Sequence, residues 1–199
     1  MSHPYQDHYF HRAKKEGYLA RAVYKLVEIQ AKYRLVRPGD HVLDLGAAPG
    51  SWMQLTSRIV GPKGLVVGID LQPIAHAFPD HVVTLQQDIF DETIAEEVLQ
   101  RYGPFDVVLS DMAPKTSGIK SADAARSELL FERALDLACR SLRPGGKFLA
   151  KIFQGDEFHQ LLLRVKMFFR RVKVVKPDAS RKQSREIYVL AMDFKDANG

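Results

Sequence analysis

Residues 44–52 read Asp-Leu-Gly-Ala-Ala-Pro-Gly-Ser-Trp, a glycine-rich turn directly after the apolar run HVLDL (41–45) and directly before a helix-like stretch. No other feature of the chain constrains its fold as strongly. A turn placed between a buried strand and a helix is the loop with which α/β proteins hold nucleotide-type ligands. Gly46 and Gly50 let backbone and ligand approach closely, because neither carries a Cβ. The spacing is G-A-A-P-G, with no G-x-G-x-x-G and no G-K-[ST], which argues against a dinucleotide fingerprint and against a P-loop.

The pattern downstream agrees with that context. The runs GLVVGID (64–70), VVTLQ (82–86), FDVVLS (105–110) and KFLAKIF (147–153) are short and apolar, as buried parallel strands are, and helix-length segments separate them. Leu130, Ala134, Leu137 and Ala138 recur at helical spacing, as do Phe158, Leu161, Leu162, Val165 and Phe169. Ser121 is the expected N-cap of the first of these helices, and the Pro144-Gly145-Gly146 turn its expected stop. RVKVVK (171–176) and EIYVLAMDF (186–194) read as a closing pair of strands. Ahead of the sheet, Leu19, Val23, Leu26, Ile29 and Tyr33 form the apolar stripe of a helix leaning on it. The expectation is one α/β domain over 1–199, with a basic amino-terminal segment and helix at about 1–35 packed on the core.

Composition bounds the function. Twenty-nine Lys and Arg against 24 Asp and Glu leave a net charge of +5, and a pI near 9.3 permits a polyanionic partner without demanding one. Cys139 is the only cysteine and the seven His are scattered, so neither a disulfide framework nor a metal site is expected. Residues 1–17 are polar and basic, with no apolar core of a secretory signal and no long hydrophobic span. The chain reads as a cytoplasmic monomer with no membrane attachment.

Three acids and an aromatic stand where a cofactor would meet the sheet. Asp70 ends the second strand, where an acid accepts hydrogen bonds from an adenosine ribose or simply forms a turn. Asp88, in QQDIF after the third strand, suits an adenine amino group or the cap of the following helix. Asp111 follows the fourth strand. Trp52 either packs on a bound ligand or fills the core.

The segments FHRAKKEGYLARAVYKL (10–26), DLGAAPGSW, SDMAP (110–114), GGKFLAKIFQG (145–155) and VVKPDASRKQSREIYVLA (174–191) resemble the FtsJ-type RNA 2′-O-ribose methyltransferases, within the class I S-adenosylmethionine-dependent methyltransferases. The resemblance covers nearly the whole chain. It implies a Rossmann-like seven-stranded, mostly parallel sheet with a reversed last strand and helices on both faces. It also implies S-adenosylmethionine held by Gly46, Ala48, Pro49, Gly50, Trp52, Asp70, Asp88 and Asp111, and a Lys-Asp-Lys-Glu catalytic set at Lys25, Asp111, Lys151 and Glu186. Lys151 is the implied central residue, with Asp111 orienting it and Lys25 and Glu186 completing the network.

The chemistry asks for such a set. A ribose hydroxyl is a poor nucleophile near neutral pH, so methyl transfer requires proton removal and alignment of oxygen with the methyl carbon. A free lysine is neutral in only about 0.04% of molecules at pH 7, so Lys151 is either a base tuned by its surroundings or a cation that stabilises developing alkoxide. Methyltransferases acting on exocyclic base amines resemble one another in an Asn/Asp-Pro-Pro-aromatic motif after strand four. This chain has Asp111-Met112-Ala113-Pro114 there, which disfavours base amines.

Basic residues crowd two places beside that set: Arg12, Lys14, Lys15 and Arg21, and Arg181, Lys182 and Arg185. Such clusters either neutralise RNA phosphates or form a solvated face. Tyr9, Phe10 and Tyr18 either stack unpaired bases or pack in the core, and KTSGIK (115–120) reads as a mobile loop near the site. The compact form with this amino terminus resembles the bacterial type, which implies a uridine of large-subunit ribosomal RNA as target; the alternatives are a transfer RNA substrate, a ribosome-assembly factor that binds cofactor and RNA with little chemistry, a small-molecule methyltransferase and, weakest, an NAD-dependent oxidoreductase.

Overall fold

The computed structural model describes residues 4–181 and 183–195, with side chains from His8 onward. The elements run α1 (Pro4–Lys15), α2 (Val23–Tyr33), β1 (His41–Leu45), α3 (Ser51–Val60), β2 (Leu65–Asp70), β3 (Val82–Gln86), α4 (Ile94–Tyr102), β4 (Phe105–Ser110), α5 (Lys120–Ser141), β5 (Leu142–Phe153), α6 (Phe158–Phe168), β6 (Phe169–Val175) and β7 (Glu186–Phe194). The strands form one seven-stranded sheet in the order β3-β2-β1-β4-β5-β7-β6. The first five are parallel, and β7 enters antiparallel between β5 and β6. This is the doubly wound arrangement expected, with its last strand reversed.

Strand alternation sorts the side chains onto two faces. Leu43, Phe148, Ala150, Ile152 and Val189 meet α4, α5 and α6 in one core. Val42, Val107, Leu109, Leu149, Tyr188 and Leu190 meet α2 and α3 in the other. The same parity carries Asp111, Lys151 and Glu186 toward the α2 face, two positions beyond Leu109, Leu149 and before Tyr188. Period two thus brings three chemically reactive side chains to one helix.

Several local expectations need correction. Ser121 lies inside α5, whose cap position is Ile119. The loop before it is held instead by Asp123, whose carboxylate accepts the N–H groups of Ser117 and Gly118 at 2.7 and 3.2 Å and the Ser117 hydroxyl at 2.9 Å. α5 ends at Ser141, ahead of the Pro144-Gly145-Gly146 turn, and β5 begins at Leu142. That turn is a register irregularity within β5, opposite Phe105 and Val107 of β4, with Gly145 at φ 80°. Phe169 opens β6 and does not belong to α6. Leu19 precedes α2 and is exposed, while residues 4–15, read only as a polar segment, form a helix. No helix among the described residues is long and apolar enough to cross a membrane, and no group of three His, Cys, Asp or Glu among them is placed to hold a metal ion.

Candidate active site

Lys25, Asp111, Lys151 and Glu186 meet at one point. Lys25 Nζ stands 2.7 Å from Glu186 Oε1 and 3.6 Å from Asp111 Oδ1. Lys151 Nζ is 2.9 Å from the same Asp111 oxygen and also donates to the Asp111 carbonyl. The four side chains are between 5% and 17% exposed, so their charges are largely removed from water but remain open to it at one end. Two ammonium groups against two carboxylates give a set that balances in charge. Deleting one member of such a partly buried set leaves its partner uncompensated, at a cost of about 3–5 kcal/mol if fully buried.

One participant was not legible in the sequence. Tyr188 donates its hydroxyl to Asp111 Oδ1 at 2.5 Å, and across β5 it is the register partner of Lys151. Its phenol is held neutral: burial, then the charges of Asp111 and Glu186, push it well above its ordinary value. Two donors, Tyr188 and Lys151, therefore converge on a single carboxylate oxygen, with the Lys25 ammonium as a more distant ion-pair partner. On the far side, Ser180 Oγ donates to Glu186 Oε1 at 3.0 Å. Tyr188 lies within the apolar run EIYVLAMDF, and its ring packs in the core against Trp52 at 6.0 Å.

The glycine loop sits where the strand order reverses between β1 and β4, the crevice in which open α/β sheets bind ligands. Gly46 adopts φ 72°, and a Cβ there would stand 2.2 Å from Met112 Cγ. Gly50 adopts φ 107° at the start of α3. Ala48 and the exposed Pro49 form the outer rim of the turn. Asp70 Oδ2 accepts the Ala48 N–H at 2.9 Å and Oδ1 accepts the Gln72 N–H at 2.8 Å; the acid shapes this loop as well as standing at a strand end. Asp88 is exposed and accepts the Phe90 N–H at 2.9 Å. It closes a local turn and caps no helix, since α4 begins only at Ile94.

Trp52 belongs to the core. It is 3% exposed, and its indole N–H is taken by the Ala22 carbonyl at 2.9 Å. That bond ties α3 to the entry of α2, and the ring packs in the core cluster beside Tyr188.

A second acid escaped the sequence reading. Asp44, in β1, is 1% exposed, and its Oδ2 is the one buried side-chain oxygen without a hydrogen-bond partner among the described residues. Burial first, then the neighbouring charges of Asp111 and Asp70, raise this carboxyl well above its usual range. An acid inside an apolar strand was the available signal. An orphaned carboxylate oxygen beside two further carboxylates suits a ligand that brings positive charge and N–H donors, as the amino group and sulfonium of S-adenosylmethionine do.

The two basic clusters converge only in part. Arg21 donates to the Ala179 carbonyl at 3.2 Å; burial, then the charge of Arg181, lowers its guanidinium from the usual value, which puts the two arginines near each other beside Glu186. Lys14 and Lys15 are exposed at the end of α1. Arg12 is engaged with Glu16 at 2.7 Å and lies over the Tyr24 ring. Arg185 spans from the Lys120 carbonyl at 2.8 Å to that of Gln154 at 3.5 Å. Lys182 lies outside the described residues. Tyr9 and Tyr18 pack on Tyr24, whereas Phe10 is 57% exposed. The 115–119 loop has no regular structure and is tied to Asp123.

Sheet order, glycine loop and acid ladder together define a class I S-adenosylmethionine-dependent methyltransferase. Residues 18–194 match the FtsJ-like methyltransferase family, and the chain belongs to it. A "Ribosomal RNA large subunit methyltransferase E" of Syntrophobacter fumaroxidans is 65% identical over 98% of this chain and 99% of its own. A relative with the same description from Bdellovibrio bacteriovorus is 45% identical over 98% and 100%. Among solved structures, a putative ribosomal RNA methyltransferase from Plasmodium falciparum superposes with a TM-score of 0.78 at 28% identity, over 89% of this chain and 98% of that one.

Proposed function

We propose that this methyltransferase methylates the ribose 2′-hydroxyl of a uridine in large-subunit ribosomal RNA, with Lys25, Asp111, Lys151 and Glu186 as its catalytic set. The observation that carries the reading is the convergence of two amines and two acids, from α2, the end of β4, β5 and β7, on the Asp111 carboxylate. The relatives' descriptions support the ribosomal target.

Gly46, Ala48, Pro49 and Gly50 would hold S-adenosylmethionine, with Asp44, Asp70 and Asp88 facing its polar and cationic groups. That cofactor supplies an electrophilic methyl on a sulfonium. Lys151, held as a cation by Asp111, contacts the ribose hydroxyl and stabilises the charge that develops on its oxygen, while the departing proton passes to water at the open end of the site. Asp111 fixes Lys151 through two acceptors, its carboxylate and its own carbonyl. Lys25 and Glu186 orient each other and, through the shared oxygen, Asp111. Because positioning accounts for much of the rate in such a transfer, small displacements in this set are costly. Arg21, Lys14, Lys15, Arg181, Lys182 and Arg185 would meet RNA phosphates around the target ribose. We further read residues 1–199 as one catalytic domain acting as a cytoplasmic monomer.

The test is tritiated-methyl transfer from S-adenosylmethionine to unmethylated large ribosomal subunits, to naked large-subunit RNA and to transfer RNA, followed by nucleoside mapping. Expected is 2′-O-methyluridine from subunits or their RNA, and none with Lys151→Ala although that variant still binds cofactor. Transfer near the unsubstituted rate by Lys151→Ala would overturn the catalytic assignment; methylated transfer RNA alone would overturn the substrate.

A further inference from the structure

A second cationic surface lies away from this site, on the edge of the sheet. β6 is the terminal strand, and between it and the last turn of α6 runs a groove of about 710 Å³. Five of the seven residues lining it are Lys166, Arg170, Arg171, Lys173 and Lys195, and none is acidic. The groove is organised. Arg171 is fixed by Asp193 through two bonds of 2.5 and 3.1 Å. Lys195 Nζ donates to the carbonyls of Lys166 and Met167 at the end of α6, both at 2.9 Å. The side chains of Lys166 and Arg170 make no hydrogen bond or ion pair among the described residues. Lys173 stands 5.2 Å over the Tyr33 ring and Lys32 stands 5.5 Å from the same ring, so the positive strip continues onto the end of α2.

The register relates this strip to the catalytic set. Val175 pairs with Tyr188, Lys173 with Leu190 and Arg171 with Met192. At about 3.3 Å per residue, Arg171 therefore lies roughly 13 Å along the strand from the level of Tyr188, within reach of an RNA segment whose ribose occupies the site. An edge strand needs some charge to prevent pairing with other strands, but that need alone does not call for five cations gathered between one strand and the end of a helix. Peptide addition to the edge would instead favour open main chain with apolar pockets.

We propose that the β6 edge groove is a second docking surface for RNA, which holds phosphates flanking the methylated ribose and sets substrate affinity without entering the reaction. This rests on the ribosomal RNA reading above. The experiment compares the unsubstituted protein with the triple variant Lys166→Gln/Arg170→Gln/Lys173→Gln, and with Arg170→Glu alone in case the triple variant folds poorly. Methyl transfer to unmethylated large subunits gives KM and kcat, filter binding to naked large-subunit RNA across a salt series gives the electrostatic slope, and cofactor titration reports the fold. Expected is a KM raised at least tenfold with kcat within twofold, cofactor affinity unchanged, and a salt slope shallower by about two for the triple variant, since each lost phosphate contact removes about 0.7–0.9. Unchanged KM and slope would overturn the proposal, as would self-association of the variant with RNA binding intact, which would make the charges edge protection only. If the unsubstituted protein fails to methylate subunits, the functional reading fails, while the binding slope still decides the groove.

Discussion

Glu28 accepts the backbone N–H groups of Asp178 and Ala179 at 2.6 and 3.0 Å, across 150 residues of sequence. It lies on α2 three residues from Lys25, and the segment it clamps leads through Ser180 to Glu186. α2 thus holds both Lys25, proposed above as catalytic, and, by a separate bond, the loop that delivers its partner Glu186. Glu28→Ala should lower kcat by about tenfold and stability by about 1–3 kcal/mol, the range for stranding paired groups, with cofactor affinity unchanged. Ser180→Ala should lower kcat less, and Ser180→Thr should restore it. Steady-state kinetics with denaturant unfolding checks both; a stability loss with no change in kcat would leave Glu28 a purely structural clamp.

Tyr188→Phe removes the hydroxyl donor to Asp111 and keeps the ring packed on Trp52. Lys25 and Lys151 still contact the same oxygen, so the site should hold together, with stability lower by about 1 kcal/mol and kcat reduced by less than tenfold. Tyr188→Ala, which also empties a fully buried volume, should cost about 3–5 kcal/mol. Thermal unfolding of the two variants separates hydroxyl from ring.

Asp44 gives a pH prediction of defined sign. Its folded-state carboxyl titrates above its unfolded value because burial opposes the charge. The unfolded chain therefore releases this proton first as pH rises, and stability falls from the unfolded carboxylate range, near pH 4, up to the raised folded value. Asp44→Asn should remove that fall, making the cofactor-free protein more stable than the unsubstituted one near pH 7 while weakening S-adenosylmethionine binding. The measurement is denaturant unfolding from pH 4 to 8 with and without cofactor. Only the difference between the two proteins is read, because Asp123 and Asp193, lowered by their hydrogen bonds, act in the opposite direction.

At Gly46 the expected effect is steric. A Cβ would meet Met112 Cγ at 2.2 Å on a backbone at φ 72°, so Gly46→Ala should abolish detectable cofactor binding and destabilise the fold by at least about 1 kcal/mol from the backbone conformation alone. Adding Met112→Ala should recover part of the stability. Equal affinities for cofactor in Gly46→Ala and the unsubstituted protein would show that the loop tolerates displacement.

The strands and the four converging charged residues were legible because their signals are local: β1, β3, β4 and β7 fall where the apolar runs do, and each of the four stands in its own short motif. What was not legible depends on distant contacts. The preference for Ser at a cap suggested Ser121, but the buried Asp123 reaches back to the loop and the cap lies two residues earlier, at Ile119. The irregular turn in β5 looked like a break because its pairing with β4 is not written in the residues themselves. Trp52 carried two readings, and the Ala22 carbonyl that fixes its buried indole belongs to a segment 30 residues away. Glu28 and Tyr188 drew no reading of their own, since the groups they contact lie far along the chain.

The insertion of β7 between β5 and β6 has a consequence for biogenesis. The cofactor loop is complete once β1 to β4 exist, yet Glu186 and Tyr188 arrive only when the polypeptide has folded back to thread its antiparallel strand into the sheet. The charge cluster is therefore complete only in a chain that has paired β7 with β5, and truncation ahead of Glu186 removes part of it.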